Sequence, residues 1–292
     1  MESQVYAALP TPAARPPTIP DVHERLPLIS VITPSYNQAQ FLERTITSVL
    51  EQGYPRLEYI VMDGGSTDGS REVIERYSDR IDYWQSEPDG GQTAAINAGW
   101  RRARGNVLCW LNSDDQYLPG TLNFVGGYMA QHPQLWVVYG SWEAVDEQGR
   151  HQNYAGRSFN RSVMVLSQNC IPQPSSFIRR EAIEAVGFLD ERLHYTMDLD
   201  LFMRIAAHQA PKFVPRVMSR ATFHSEAKTV KLRDAMAEER FAVRRRYARW
   251  YELALVLLQP AASWLYHHLP GPLMRMAARI RPARTFSKPL DG

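Results

Sequence analysis

Two adjacent carboxylates, Asp114 and Asp115, follow Asn112 and Ser113 at the end of the apolar run Val107, Leu108, Cys109, Trp110, Leu111. Hard oxygen ligands at the C-terminal end of a buried strand suit a divalent cation and a diphosphate, because open α/β sheets bind ligands along that edge. The same residues equally suit a solvated turn, since Asn, Ser and Asp all favour turns. Asp63 closes a second apolar run and precedes Gly64 and Gly65. Its carboxylate suits the imide N–H of a uracil-like base, or a cap on the turn that leads to Asp68. Asp198 stands immediately ahead of an amphipathic stretch, where it suits removal of a proton from an acceptor hydroxyl or simple capping of the helix. Asp200 and Arg204 are four residues apart and predict an ion pair within that helix. His224 suits either a structural role or completion of an oxygen-rich metal site, where an imidazole shifts preference from Mg²⁺ toward Mn²⁺.

Such residues act together only if the chain brings them to one edge. From Leu28, short apolar runs alternate with amphipathic stretches. They predict strands over 28–33, 57–62, 81–85 and 107–111, with helices over 39–52, 69–77 and 92–104 between them. This βαβα rhythm predicts a mostly parallel sheet with helices on both faces. The strand ends then read Thr33, Pro34, Ser35, Tyr36, Asn37; Asp63 to Gly69; Glu87, Pro88, Asp89, Gly90, Gly91; and the Asp114, Asp115 pair. Four polar strand ends in register make a shared site a better reading than four unrelated turns. Downstream the pattern loosens: helices are predicted over 118–131, 180–186 and 199–208, strands over 135–139 and 212–217, and a long helix over 234–258.

Composition bounds the function. The 292 residues are 44% hydrophobic and 22% charged, an ordinary globular balance. Cys109 and Cys170 form neither a disulfide framework nor a metal-ligand spacing, and residues 1–26 lack the basic start and apolar centre of a signal peptide. A cytoplasmic location is expected. Those first 26 residues are rich in Pro, Ala and Thr and are expected to be a disordered leader. From Arg240 onward ten Lys and Arg face two acids, net +8, so the remaining 239 residues carry −6 of the overall +2. An acidic body argues against nucleic-acid binding, while the basic, aromatic tail suits peripheral contact with an anionic membrane, or packing on the domain with a solvated Arg face. The tail prolines Pro260, Pro270 and Pro272 argue against a spanning helix.

Several separated signatures, in consistent order from Leu28 to Thr229, resemble glycosyltransferase family 2: Val31 to Asn37, Met62 to Ser70, Ser86 to Asp89 with Gln92, Ala95, Asn97 and Gly99, Leu111 to Asp115, Gln173 to Phe177, Val186 to Asp190, Met197 to Arg204, and Phe223 with His224. The resemblance implies a GT-A, Rossmann-like fold over residues 27–230; it explains the tail least, and residues 231–292 are expected from their own composition to form a helical, basic and amphipathic C-terminal extension. The resemblance implies inverting, metal-dependent transfer from a nucleoside diphosphate sugar, most often UDP-linked, to a hydroxyl of a glycan or lipid-linked acceptor, in the manner of surface polysaccharide assembly. Position by position, Asp63 and Asp89 resemble base and nucleotide contacts, and Thr33, Pro34 and Tyr36 the wall at the first strand. Gln92 and Asn97 join the donor contacts, Asp114 is similar to the ribose carboxylate, Asp115 and His224 to ligands of Mn²⁺ or Mg²⁺, and Asp198 to the catalytic base. The family motif often has a second acid directly before that base; here Met197 fills the place. Trp142 and Gln173 fall where the acceptor or sugar pocket is built. Two alternatives stand beside this reading. A sugar nucleotidylyltransferase needs a glycine-rich loop after the first strand, and Thr33 to Asn37 has no glycine. A silent glycan- or nucleotide-binding module has no need of all these acids.

Overall fold

A computed structural model describes residues 26–146, 151–167, 169–223, 233–254 and 256–257. The leader, His224 and the segment from 258 onward lie outside the described residues. The chain runs β1 (Ile29–Ser35), α1 (Ala39–Leu50), β2 (Leu57–Asp63), α2 (Ser70–Glu75), β3 (Tyr83–Ser86), α3 (Gln92–Arg102), β4 (Val107–Trp110), β5 (Asp115–Tyr117), α4 (Thr121–Gln131), β6 (Val137–Asp146), β7 (His151–Ala155), α5 (Arg161–Leu166), β8 (Ser176–Arg179), α6 (Arg180–Val186), α7 (Met197–Ala206), β9 (Lys212–Phe223) and α8 (Arg233–Tyr247).

The strands form one sheet in the order β3-β2-β1-β4-β8-β6-β9-β5, with β7 beside β6. The first four are mutually parallel. Beyond them β8 is antiparallel to β4 and β6, while β6 and β9 pair in parallel. Side chains of a strand alternate between faces, and the sequence uses both. Ile29 and Val31 of β1, Tyr59 and Val61 of β2, and Val107 and Cys109 of β4 enter one core with Leu42, Ile46 and Val49 of α1. Their neighbours Ile32, Ile60, Met62, Leu108 and Trp110 enter the other, with Ile96 and Trp100 of α3. There Trp100 and Trp110 meet edge to face, 5.4 Å between ring centroids.

The structure adds elements that periodicity does not predict. β5 is three residues long and exists because β9 offers an edge, pairing Asp115 with Ala221 and Tyr117 with Ser219. β6 and β9 both run past their expected ends at 139 and 217, with a register shift around Ser141. Gly140 permits their close approach, since a Cβ there would stand 2.5 Å from the carbonyl of Arg216. The long C-terminal helix is broken at 248–249, where Glu252 accepts a hydrogen bond from the Arg249 N–H (2.9 Å), as in a capping box. Buried Glu252 also binds Arg161 (2.8 Å) and Ser162 (2.8 Å) at the start of α5, which fixes where the chain turns.

Candidate active site

The C-terminal ends of β1, β2, β3 and β4 open into one cleft of about 950 Å³. Its first wall is Pro34, Ser35 and Tyr36, with Tyr36 64% exposed at the rim. Thr33 does not line the cleft; its hydroxyl lies 3.0 Å from the Tyr59 hydroxyl in the core. Asn37 adopts φ 51°, and in that left-handed turn its amide oxygen accepts from Thr67 N–H (2.9 Å) while its own N–H reaches Ser66 (2.7 Å). The loop after β2 is thereby tied to the loop after β1.

Asp63 works from beneath that loop. Its buried carboxylate accepts from Ser66 N–H (2.9 Å), Ser66 Oγ (2.5 Å) and Ser86 Oγ (2.7 Å). It joins the ends of β2 and β3 and does not itself line the cleft, whereas Gly64 and Asp89 do. The glycines are required by this crossing. A Cβ on Gly64 would stand 3.1 Å from the Asp89 carboxylate, and Gly65, at φ +81°, passes 3.0 Å from Pro88 N by the same measure. Asn97, expected among the donor contacts, lies outside the cleft as well. It is buried and joins α3 to the 189–191 loop, giving a hydrogen bond to Leu189 O (2.9 Å) and taking one from Leu189 N–H (3.1 Å).

The Asp114, Asp115 pair lies on the cleft floor, held from several sides. The Thr45 hydroxyl of α1 lies 2.9 Å and 2.7 Å from the backbone carbonyls of Ser113 and Asp115. Gln92 donates to Asn112 Oδ1 (2.7 Å), and Asn112 Nδ2 reaches both Asp115 Oδ2 (3.2 Å) and Gln173 Oε1 (3.1 Å). Gln173 in turn donates to Trp110 O (2.7 Å). Burial, and then the neighbouring charge of Asp114, push the Asp115 carboxyl well above the usual carboxylate range. A divalent cation would relieve that repulsion, so this donor set fits one. Among the described residues no cluster of three His, Cys, Asp or Glu could hold a metal, and His224, the further ligand expected from the sequence, lies outside them.

Asp198 enters the cleft from α7. The cap position of that helix belongs to Thr196, and Asp198 is its second residue. Its carboxylate accepts from Leu199 N–H (2.7 Å) and from Asn169 Nδ2 (2.8 Å). Burial pushes the carboxyl up to about 6, against the opposing effect of those two bonds and of the Arg240 charge. The start of α7 is fixed by Glu239 of α8, which accepts from the N–H groups of His194, Tyr195 and Thr196 and from the Thr196 hydroxyl, all at 2.7–2.8 Å. The ion pair expected between Asp200 and Arg204 is present at 2.9 Å.

Trp142 and Gln173 both line the cleft. So do residues that sequence reasoning did not single out: Asn169, His194, Tyr195, Thr222 and Arg240. Ser35 Oγ, Gln38 Oε1, Trp110 Nε1 and Thr222 Oγ1 are buried on this wall without a hydrogen-bond partner among the described residues, the condition of a surface prepared for a polar ligand.

This chain is similar to known proteins in sequence and in fold. The model of glycosyl transferase family 2 matches residues 30–187. An uncharacterized glycosyltransferase of Rickettsia felis is 29% identical over 216 residues, which cover 70% of this chain and 36% of that protein, so the chain spans about a third of its length. S. aureus TarS 1–349 in complex with UDP-GlcNAc superposes with a TM-score of 0.62 at 17% identity, covering 84% of this chain and 77% of TarS 1–349. The mannosyltransferase PcManGT from Pyrobaculum calidifontis, in complex with GDP-Man and Mn²⁺, superposes with a TM-score of 0.59 at 18% identity, covering 87% and 79%. At such identities the two structures establish the GT-A fold. The family match spans the four strand ends and the Asp pair, and the chain belongs to glycosyltransferase family 2.

Proposed function

We propose that the cleft transfers a sugar, with inversion, from a nucleoside diphosphate sugar to a hydroxyl of a glycan or lipid-linked acceptor. The observation that carries this reading is a carboxyl poised at about 6, Asp198, in the same cleft as the paired Asp114 and Asp115. Asp198 takes the proton as the acceptor oxygen forms its bond to the anomeric carbon, while the bond from that carbon to the diphosphate oxygen breaks on the opposite face. Asp114 binds the ribose hydroxyls, and Asp89 and the Gly64 backbone receive the nucleoside. Asp63 acts on the nucleoside through the loop it anchors.

Asp115, with His224, would hold Mn²⁺ or Mg²⁺, and the cation would supply the Lewis acidity that neutralises a departing diphosphate. Gln92, Asn112 and Gln173 orient the Asp115 carboxylate as a connected hydrogen-bond chain. The UDP-GlcNAc and GDP-Man bound by the two structural neighbours support a nucleotide-sugar donor, with a UDP-linked one proposed first.

The extension carries Trp250, 86% exposed, with Tyr251 and Leu257 also exposed beside Arg245 and Arg249. This surface supports peripheral contact with anionic lipid, and no helix among the described residues is long and apolar enough to cross a membrane.

A panel of nucleotide sugars, scored by thermal stabilisation with and without Mn²⁺, tests the donor assignment. One class should raise the midpoint selectively, because a ligand that binds only the folded chain adds about 2.7 kcal/mol at a hundred times its Kd. A flat response across the panel overturns the proposal.

A further inference from the structure

We propose that Arg240 binds an oxyanion carried by the acceptor, a phosphate or a carboxylate, and makes the part of the cleft beside Asp198 an anionic-acceptor subsite. This rests on the transferase reading above. Arg240 belongs to α8, well beyond the segment that the family model matches.

The helix is built into the site. Met236 and Arg240, one turn apart, both line the cleft, so one face of α8 forms part of its wall. Adjacent to Arg240, Glu239 holds residues 194–196 through four hydrogen bonds. One turn further, Val243 is fully buried and Arg244 donates to the Ser167 carbonyl. Tyr247 then donates to Asp200 (2.7 Å) on α7. Arg240 is therefore presented from a fixed frame.

Its charge acts on one carboxylate of the cleft, Asp198, through space and without a hydrogen bond. Among the described residues the cleft is lined by the acids Asp89, Asp114, Asp115 and Asp198 and by one guanidinium, that of Arg240. Arg240 has no hydrogen bond or ion pair among the described residues. A second cation follows it, because buried Arg244 feels the Arg240 charge. A guanidinium that lines the cleft without a hydrogen-bond partner among the described residues presents its N–H donors to an incoming anion.

The location assigns that anion to the acceptor and away from the donor. Glu239, the neighbour of Arg240 on α8, hydrogen-bonds residues 194–196 directly ahead of Asp198, which brings this end of the cleft wall to α7, and the Arg240 charge acts on Asp198. An anion bound there lies beside the group that touches the acceptor hydroxyl, while the donor diphosphate belongs with Asp114 and Asp115. The planar fork of a guanidinium matches the two oxygens of a phosphate or carboxylate, and Lys reproduces only the charge.

The test uses the full chain saturated with UDP and Mg²⁺, so that the diphosphate subsite is filled. Glycerol, glycerol 3-phosphate and glycerate are then titrated by calorimetry into wild type, Arg240→Gln and Arg240→Lys. Wild type is expected to bind an anionic probe at least about tenfold more tightly than glycerol, the range of a charge-assisted hydrogen-bonded pair. Arg240→Gln abolishes that preference, Arg240→Lys keeps part of it, and UDP affinity stays within about twofold in both. The stronger of the phosphate and carboxylate arms names the acceptor group. Retention of the preference in Arg240→Gln overturns the proposal, as does a parallel loss of UDP affinity, which would place Arg240 on the donor. If wild type binds UDP but shows no preference for either anion, only this subsite fails; if it binds no UDP, the nucleoside diphosphate of whichever nucleotide sugar stabilises the chain takes its place, and binding of none of them overturns the transferase reading and the subsite with it.

Discussion

Replacing Asp198 by Asn should remove transfer and at the same time make the protein more stable. The carboxyl sits at about 6 in the folded chain, against 3.8 when freely solvated, because burial disfavours its charge. A base must be ionised to act, so the rate follows the ionised fraction: about a tenth at pH 5 and about nine-tenths at pH 7. An ordinary carboxylate would be almost fully ionised at both values, and the profile would be flat. The expected signature is thus a single acid limb near pH 6, with about a tenfold fall between pH 7 and pH 5. It is best measured as kcat at saturating donor, metal and acceptor, so that protonation of Asp115 does not contribute through weakened donor binding.

The same burial determines the stability change. A carboxyl whose folded value is raised holds a proton that the unfolded chain has already released, so folding is most favoured below 3.8 and loses stability as pH rises through about 6. At neutral pH the wild-type fold therefore carries a desolvation cost on the order of 1–3 kcal/mol that Asn does not. Asp198→Asn should lose about 10²- to 10⁴-fold in kcat while its thermal midpoint rises at pH 7.5 and not at pH 4. Replacing Asn169 by Leu removes a hydrogen bond that favours the charged form, and should move the acid limb to higher pH. Wild-type turnover in Asp198→Asn, or a limb near pH 4, would refute the assignment.

Asp115→Ala should abolish the Mn²⁺ dependence of donor binding seen by calorimetry, and an unchanged donor affinity with and without Mn²⁺ would remove the metal assignment. In wild type that dependence should weaken as pH falls, since the raised Asp115 carboxyl lets a proton compete with the cation. Trp250→Ser combined with Arg249→Glu should release the protein from sedimenting vesicles that contain phosphatidylserine, each basic residue near such a surface being worth about 1 kcal/mol. Equal sedimentation of variant and wild type would exclude this surface from membrane contact.

The first half of the sheet was legible because its signals are local. Each of β1, β2 and β4 is an apolar run ended by polar turn residues, and alternation along each run already assigns Ile32 and Val31 to different faces. The second half is decided by pairing across long stretches of chain. Asp115, Gln116 and Tyr117 have no strand pattern of their own and become one against residues 219–221 of β9. Asn97 shows the same limit at a single side chain: its motif position suggests a donor contact, yet its partner is Leu189, 92 residues on. Arg240 and Tyr195 could not be found from spacing either, since both reach the cleft where Glu239 holds residues 194–196 against α8, and Asn169 reaches it through Asp198, 29 residues on.

Two raised carboxyls in one cleft, Asp115 and Asp198, differ in what raises them, and the difference fits the separate roles proposed for them. Asp115 is lifted by burial and by the charge of Asp114, a condition that a bound cation would relieve. Asp198 has no acid beside it in sequence, because Met197 occupies that place and is itself buried in the core. Its shift comes from burial alone, opposed by Leu199, Asn169 and Arg240, and what relieves it is a proton. An acid at position 197 would add a like charge next to the base and move its titration upward, away from the neutral range in which a carboxylate base is both ionised and basic enough to act. Placing Met at 197 and a cation at 240 holds Asp198 near 6 by desolvation and field, without a second carboxylate.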